Sequence, residues 1–179
     1  MCVCISLQIT EHQDDSLVAR LMDAALTGHD QRVKTLVDLG ADMNARSHDG
    51  RTALHYAAFV GYATTVKTLG ELGADVRALD QGGRSALHVA ADNGNALTVK
   101  ALVMLGSDVH ARLQDGCTAL HLAAVNGHTD TVKMLVDSGA DPHAPTQDGC
   151  TASHLAAVNG HAETMLELDR TMGQFYCCV

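Results

Sequence analysis

"DGCTALHLAAVNGH" runs from Asp115 to His128, and "DGCTASHLAAVNGH" runs from Asp148 to His161, 33 residues further on. The two copies differ only where Leu120 gives way to Ser153. The same interval orders much of the chain. His55, His88, His121 and His154 are 33 apart, as are Gly28, Gly61, Gly94, Gly127 and Gly160. Gly40, Gly73, Gly106 and Gly139 repeat it again, each followed by Ala-Asp or Ser-Asp. Even the lysines, Lys34, Lys67, Lys100 and Lys133, keep the phase. A strict period of this length means one supersecondary unit per repeat, stacked into a solenoid.

One unit can be read residue by residue in "DGRTALHYAAFVGYATTVKTLGELGADVRA", which covers 49–78. Asp49-Gly50 is a turn pair. Thr52 stands as an N-cap whose hydroxyl can accept an orphan N–H of the first helical turn. Residues 53–60 then form a short Ala-rich helix, ended by Gly61 in the left-handed conformation that glycine adopts freely. A second helix covers about 64–72, with Val66 and Leu69 on one face. Gly73 closes it, and an extended turn leads into the next unit. Helices this short do not persist alone, so each depends on its neighbours.

The pattern closely resembles the ankyrin repeat. Its T-x-L-H-x-A-A signature stands as "TALHYAA" (52–58), "SALHVAA" (85–91), "TALHLAA" (118–124) and, with one change, "TASHLAA" (151–157). The usual proline after the threonine is alanine in every copy, which forgoes a rigid helix start but keeps the best helix former. The resemblance implies an all-α solenoid of about five helix-turn-helix units joined by hairpin loops. The units are expected at 14–46, 47–79, 80–112, 113–145 and 146–170, between an N-terminal segment 1–13 expected to be poorly ordered and a tail 171–179. In the first unit Met22 and Ala19 replace the histidine and the threonine, and the last unit loses the Gly-Ala-Asp phase. Atypical terminal units are expected, because one of their faces meets water. Two internal departures carry an expected cost. Gly70 stands where other units have Val37, Val103 and Val136, and a helix-interior glycine costs about 1 kcal/mol against alanine. Ser153 stands where a core leucine is expected, a loss of about 2–5 kcal/mol. The stack is therefore expected to be unevenly stable, with the last unit fraying first.

Composition narrows the function. The chain has 179 residues, 46% apolar but only 3% aromatic, so its core must be built from Ala, Leu and Val. A net charge of −9 argues against nucleic acid, which requires a basic footprint. No apolar run approaches a membrane span, and the start has no secretory signal, so an intracellular, cytoplasmic or nuclear location and reduced cysteines are expected. Cys2, Cys4, Cys177 and Cys178 are expected as free thiols, with lipidation of the last pair as an alternative.

The histidines are read as structural. Residues one repeat apart form a file along the stack and do not converge on one ion, whereas zinc needs its ligands around one point. Thr52 with His55, Ser85 with His88, Thr118 with His121 and Thr151 with His154 instead match a capping-box analogue, in which the ring bonds back to the cap or to the adjoining loop. The resemblance implies an inter-repeat tie for the same histidine. Cys117 and Cys150, in equivalent loops, are read as thiols copied with the repeat. Asp42, Asp75, Asp108 and Asp141 mark turns rather than acid–base pairs. No phosphate loop or H-E-x-x-H is present. No catalytic residue, metal or cofactor is expected.

What remains is a surface. The resemblance implies partner contacts at the hairpin tips and at the C-terminal ends of the first helices. On this sequence those are Arg46, His48, Arg51, Phe59 and Val60, then Leu79, Gln81, Arg84, Asp92 and Asn93, then Arg112, Gln114, Val125 and Asn126. The last unit adds Gln147, Val158 and Asn159. Four arginines (46, 51, 84 and 112) fall on this face, so the expected partner is another protein with an acidic and partly apolar segment, bound by a monomer. The alternatives are an accessory segment of a larger enzyme and a lipid-anchored adaptor.

Overall fold

A computed structural model describes residues 17–175. They form ten helices, and no strand occurs among the described residues. α1 covers 17–27 and α2 Asp30–Asp38; then follow α3 Ala53–Val60 with α4 Ala63–Glu71, and α5 Ala86–Asp92 with α6 Ala96–Met104. α7 Ala119–Val125 pairs with α8 Thr129–Asp137, and α9 Ala152–Val158 with α10 Ala162–Phe175. The first helices α3, α5, α7 and α9 pack in succession as one layer, and α2, α4, α6, α8 and α10 form the other.

The first helices start where the backbone of Thr52, Ser85, Thr118 and Thr151 is extended, at φ between −82° and −104° and ψ near 170°. Each start is a reciprocal capping box with the histidine three residues on. Ala57, Ala58, Ala90, Ala91, Ala123 and Ala124 are fully buried or nearly so, and their small side chains let adjacent helices approach closely. Leu54, Leu87 and Leu120 form a buried file between units; Val66 with Leu69, Val99 with Leu102 and Val132 with Leu135 fill the space beneath the second helices. The first unit keeps both helices despite Met22, because Leu21, Ala24, Ala25, Val33 and Leu36 still supply its buried face.

Two expectations are corrected by packing. Gly70 is not a gap left by a missing valine: a β-carbon there would lie 2.4 Å from Leu105 Cδ1, so the side chain of Leu105 already occupies the volume. Ser153 is not a hole in a closed core. It is half-buried at the end of the stack, and its hydroxyl donates to Asp169 Oδ1 at 2.9 Å, so the large penalty for a lost core leucine does not apply. Leu168 of α10 is fully buried nearby. α10 also runs through residues 171–175, because Met172 stands where the other units carry a helix-closing glycine.

Candidate functional site

The histidine file is built from two bonds per ring. His55 Nδ1 accepts the Thr52 N–H at 3.2 Å and lies 3.0 Å from Thr52 Oγ1. Nδ1 is therefore unprotonated, and the ring hydrogen sits on Nε2, which donates to Arg84 O in the next unit at 3.0 Å. His88 accepts the Ser85 N–H and donates to Ala111 O at 3.2 Å, and His121 accepts the Thr118 N–H and donates to Ala144 O at 2.9 Å. Burial lowers the pKa of all three, partly offset by the accepting carbonyls, so each ring is neutral near pH 7. His154 makes the same cap but is exposed, and its Nε2 meets no carbonyl among the described residues. Thr52, Ser85 and Thr118 thus cap helix starts together with His55, His88 and His121; His55 also ties its unit to the next, whereas His88 and His121 reach the loop that closes their own unit.

A second file of ties escaped the sequence reading. Asn95 Nδ2 donates to Ala58 O and Phe59 O at 3.0 Å, His128 Nε2 bonds Asp92 O at 3.1 Å, and His161 Nε2 bonds Val125 O at 2.9 Å. These residues follow Gly94, Gly127 and Gly160, so the Gly-His pairs were visible but their reach across the junction was not.

The four arginines of the expected partner face all act within the chain. Arg46 Nη1 donates to Leu79 O in the next loop and to Gly50 O at 3.2 Å. Arg112 Nη1 donates to Pro145 O at 2.7 Å and Gly116 O at 3.4 Å. Arg84 Nε bonds Asp80 Oδ2 at 3.2 Å and its Nη1 lies 3.6 Å from Asp92 Oδ2, while Arg51 Nε lies 3.8 Å from the same Asp80 oxygen. Asp80, whose side chain is 3% exposed, also accepts the N–H groups of Gly82 and Arg84 at 2.9 Å. Burial alone would raise its pKa, but these donors and the Arg84 charge hold it below the usual carboxylate range. Asp80 reads in sequence as a loop charge; in the fold it anchors the centre of the face.

The polar residues at the helix ends are engaged too. Asn126 Nδ2 donates to Asp92 Oδ1 at 2.9 Å, Asn93 Nδ2 to Val89 O at 2.8 Å, and Asn159 Nδ2 to Leu155 O at 2.8 Å. Gln81 and Gln147 stitch consecutive loops, donating to His48 O at 2.6 Å and Gln114 O at 2.5 Å. His48 and Gln114 are exposed at the loop tips. Among the apolar members, Phe59 is 47% exposed, Val60 38%, Leu79 47% and Val158 86%, whereas Val125 is half-buried. This face thus leaves apolar surface to solvent beside the exposed Arg46, His48 and Arg112.

Cys117 and Cys150 are half-buried free thiols. Burial, with Asp115, Asp148 and Cys150 close by, pushes the Cys117 thiol up to about 11, the reverse of an activated nucleophile. Cys2, Cys4, Cys177 and Cys178 lie outside the described residues. No helix among the described residues is long and apolar enough to cross a membrane.

A family model described as ankyrin repeats (3 copies) matches residues 21–113 and 93–170, most of the chain. No curated protein matches the sequence.

Proposed function

The chain belongs to the ankyrin-repeat family, whose repeats generally mediate protein–protein interaction, and from that premise we propose that it is a non-catalytic binding module. Its partner lies along the hairpin tips and the C-terminal ends of the first helices. The observation that carries the reading is the exposed apolar pair Phe59 and Val60 at the end of α3, with Leu79 likewise exposed in the following hairpin loop. Large apolar side chains held in the open by a rigid, internally hydrogen-bonded frame are what an interface core requires. Arg46, His48, Arg51, Gln81, Arg84, Asp92, Asn93, Arg112, Gln114, Val125 and Asn126 frame that strip, many of them through bonds to their own chain.

The partner segment is therefore partly apolar. Its expected acidic character is withdrawn: Arg46, Arg84 and Arg112 already donate to the chain's own acceptors, Arg51 lies at ion-pair distance from Asp80, and a net charge of −9 repels an acidic chain. For the same reason, reversing Arg84 is a poor probe of binding, since it strands the buried Asp80. The test is affinity capture from native lysate with wild type and a Phe59→Ala, Val60→Ala variant, compared by mass spectrometry after circular dichroism shows equal helicity. A protein enriched by wild type and lost by the variant supports the reading. Identical enrichment overturns the placement of the interface on this strip.

A further inference from the structure

Consecutive hairpin loops meet at clefts that repeat with the 33-residue phase. One cleft, bordered by Arg112, Thr118, Asp141 and Ala144, encloses about 60 Å3. Its counterpart one unit earlier, running from Val76 to Ala111, encloses about 340 Å3. A single side chain accounts for the difference. Arg112 crosses the small cleft to donate to Pro145 O and Gly116 O. Arg46 makes the same crossing at the junction before, to Leu79 O and Gly50 O. At the junction between these two the phase places Leu79, which has no donor.

Three acceptors are left there. Arg112 O and Gly83 O, the counterparts of Pro145 O with Gly116 O, take part in no hydrogen bond among the described residues. Ser107, standing where other units have Ala41, Ala74 and Ala140, borders the cleft with its hydroxyl oxygen buried and without a partner. The stitch between loop tips is missing as well. Gln81 N–H donates to Asp49 O at 3.1 Å and Gln147 N–H to Asp115 O at 2.9 Å, but the equivalent Gln114 N–H makes no such bond.

We propose that this cleft receives an arginine side chain from the partner protein. The incoming guanidinium occupies the place that Arg46 and Arg112 hold at the neighbouring junctions. It donates to Arg112 O, Gly83 O and Ser107 Oγ, while its methylene stem lies along Leu79 and Val76. The volume suits one side chain and sits at the low end of small-ligand sites. Asp108 balances Arg77 among the residues bordering the cleft, and the net charge of −9 draws a cationic segment in. The inference rests on the protein-interaction reading and adds the chemistry of one contact.

The test is an amide-resolved NMR titration of the full chain with the blocked peptide acetyl-Gly-Arg-Gly-amide and its citrulline counterpart. Saturable shifts confined to 76–79 and 107–114 are expected, with the uncharged citrulline peptide about tenfold weaker. Leu79→Arg, which supplies the guanidinium in cis, is expected to abolish the response. Ser107→Ala, which restores the residue of the other units, is expected to weaken it and keeps the test decisive should Leu79→Arg misfold. Shifts that are absent, lie elsewhere, are equal for citrulline, or survive in a folded Leu79→Arg protein or undiminished in Ser107→Ala overturn the proposal. The two readings separate in the capture experiment: a partner lost by Phe59→Ala, Val60→Ala but retained by Leu79→Arg leaves the interaction module standing and removes the arginine cleft.

Discussion

At the scale of single residues, His55, His88 and His121 each do two jobs with one neutral ring. Removing His88 leaves the Ser85 N–H and the Ala111 carbonyl, in the loop that closes the same unit, without their partner. His88→Ala is expected to cost about 3 kcal/mol, because each orphaned buried polar group costs about 1–3 kcal/mol. His154→Ala, at an exposed ring with no carbonyl partner among the described residues, is expected to cost under about 1 kcal/mol. Urea denaturation of the pair measures the contrast. A buried threonine file shows the opposite sign. Thr65 donates to Asp30 Oδ1 at 2.5 Å and Thr164 meets Thr129 at 2.8 Å, but Thr98 and Thr131 face Ala63 and Ala96 in the same phase and have no partner. Thr98→Val therefore removes an unsatisfied hydroxyl at constant shape and is expected to stabilise by about 1 kcal/mol, whereas Thr65→Val destabilises. Equal effects in the two variants would refute the account.

At the scale of elements, the turn between paired helices is shaped by glycine and by what packs on it. Gly127 has φ +71°, and a β-carbon there would lie 2.5 Å from the ring of His161. Gly160 has nearly the same backbone, φ +77°, with nothing within 4 Å. Gly160→Ala thus meets only the left-handed backbone penalty of about 1–2 kcal/mol. Gly127→Ala must also displace the His161 ring and loosen its bond to Val125 O, so it is expected to lose at least about 1 kcal/mol more. Thermal unfolding of the two single variants distinguishes them. The glycine period was legible in the sequence. That one member of the file is crowded and another is open was not, because crowding depends on the next unit's side chain.

For the whole molecule, three buried histidines set the pH dependence of the stack. Their folded-state pKa values lie below the ordinary 6.5, so the unfolded chain takes up protons first as pH falls. Stability from this source is complete above about pH 6.5 and is lost below it, down to the folded-state values. The slope approaches about 1.4 kcal/mol per pH unit for each histidine that protonates only on unfolding. Urea midpoints between pH 7.5 and 5 are expected to fall, and the fall is expected to shrink in a His88→Asn variant; an unchanged pH profile in that variant removes His88 from the account. Because a solenoid's stability is a sum of units and nearest-neighbour interfaces, the end units are the weakest. Amide exchange is expected to be fastest in α9 and α10 and slowest in α5 to α8, and uniform protection would contradict this.

The 33-residue period, the capping pairs and the two glycine files determined the ankyrin fold by themselves, since each reports a local backbone requirement that recurs with the unit. The apolar files followed from the same period. Helix boundaries in the unit read residue by residue were legible to within one residue, at Ala53–Val60 and Ala63–Glu71. The site was legible only as a set of positions. Local patterns say where Arg46, Arg84 or Arg112 sits along the chain, but the tertiary structure decides which acceptor from the adjacent unit each one meets. It also shows that Asp80 is buried, that Leu105 fills the space over Gly70, and that Leu79 leaves a cleft its neighbours close. Those outcomes belong to junctions between units, where two side chains 33 residues apart come into contact.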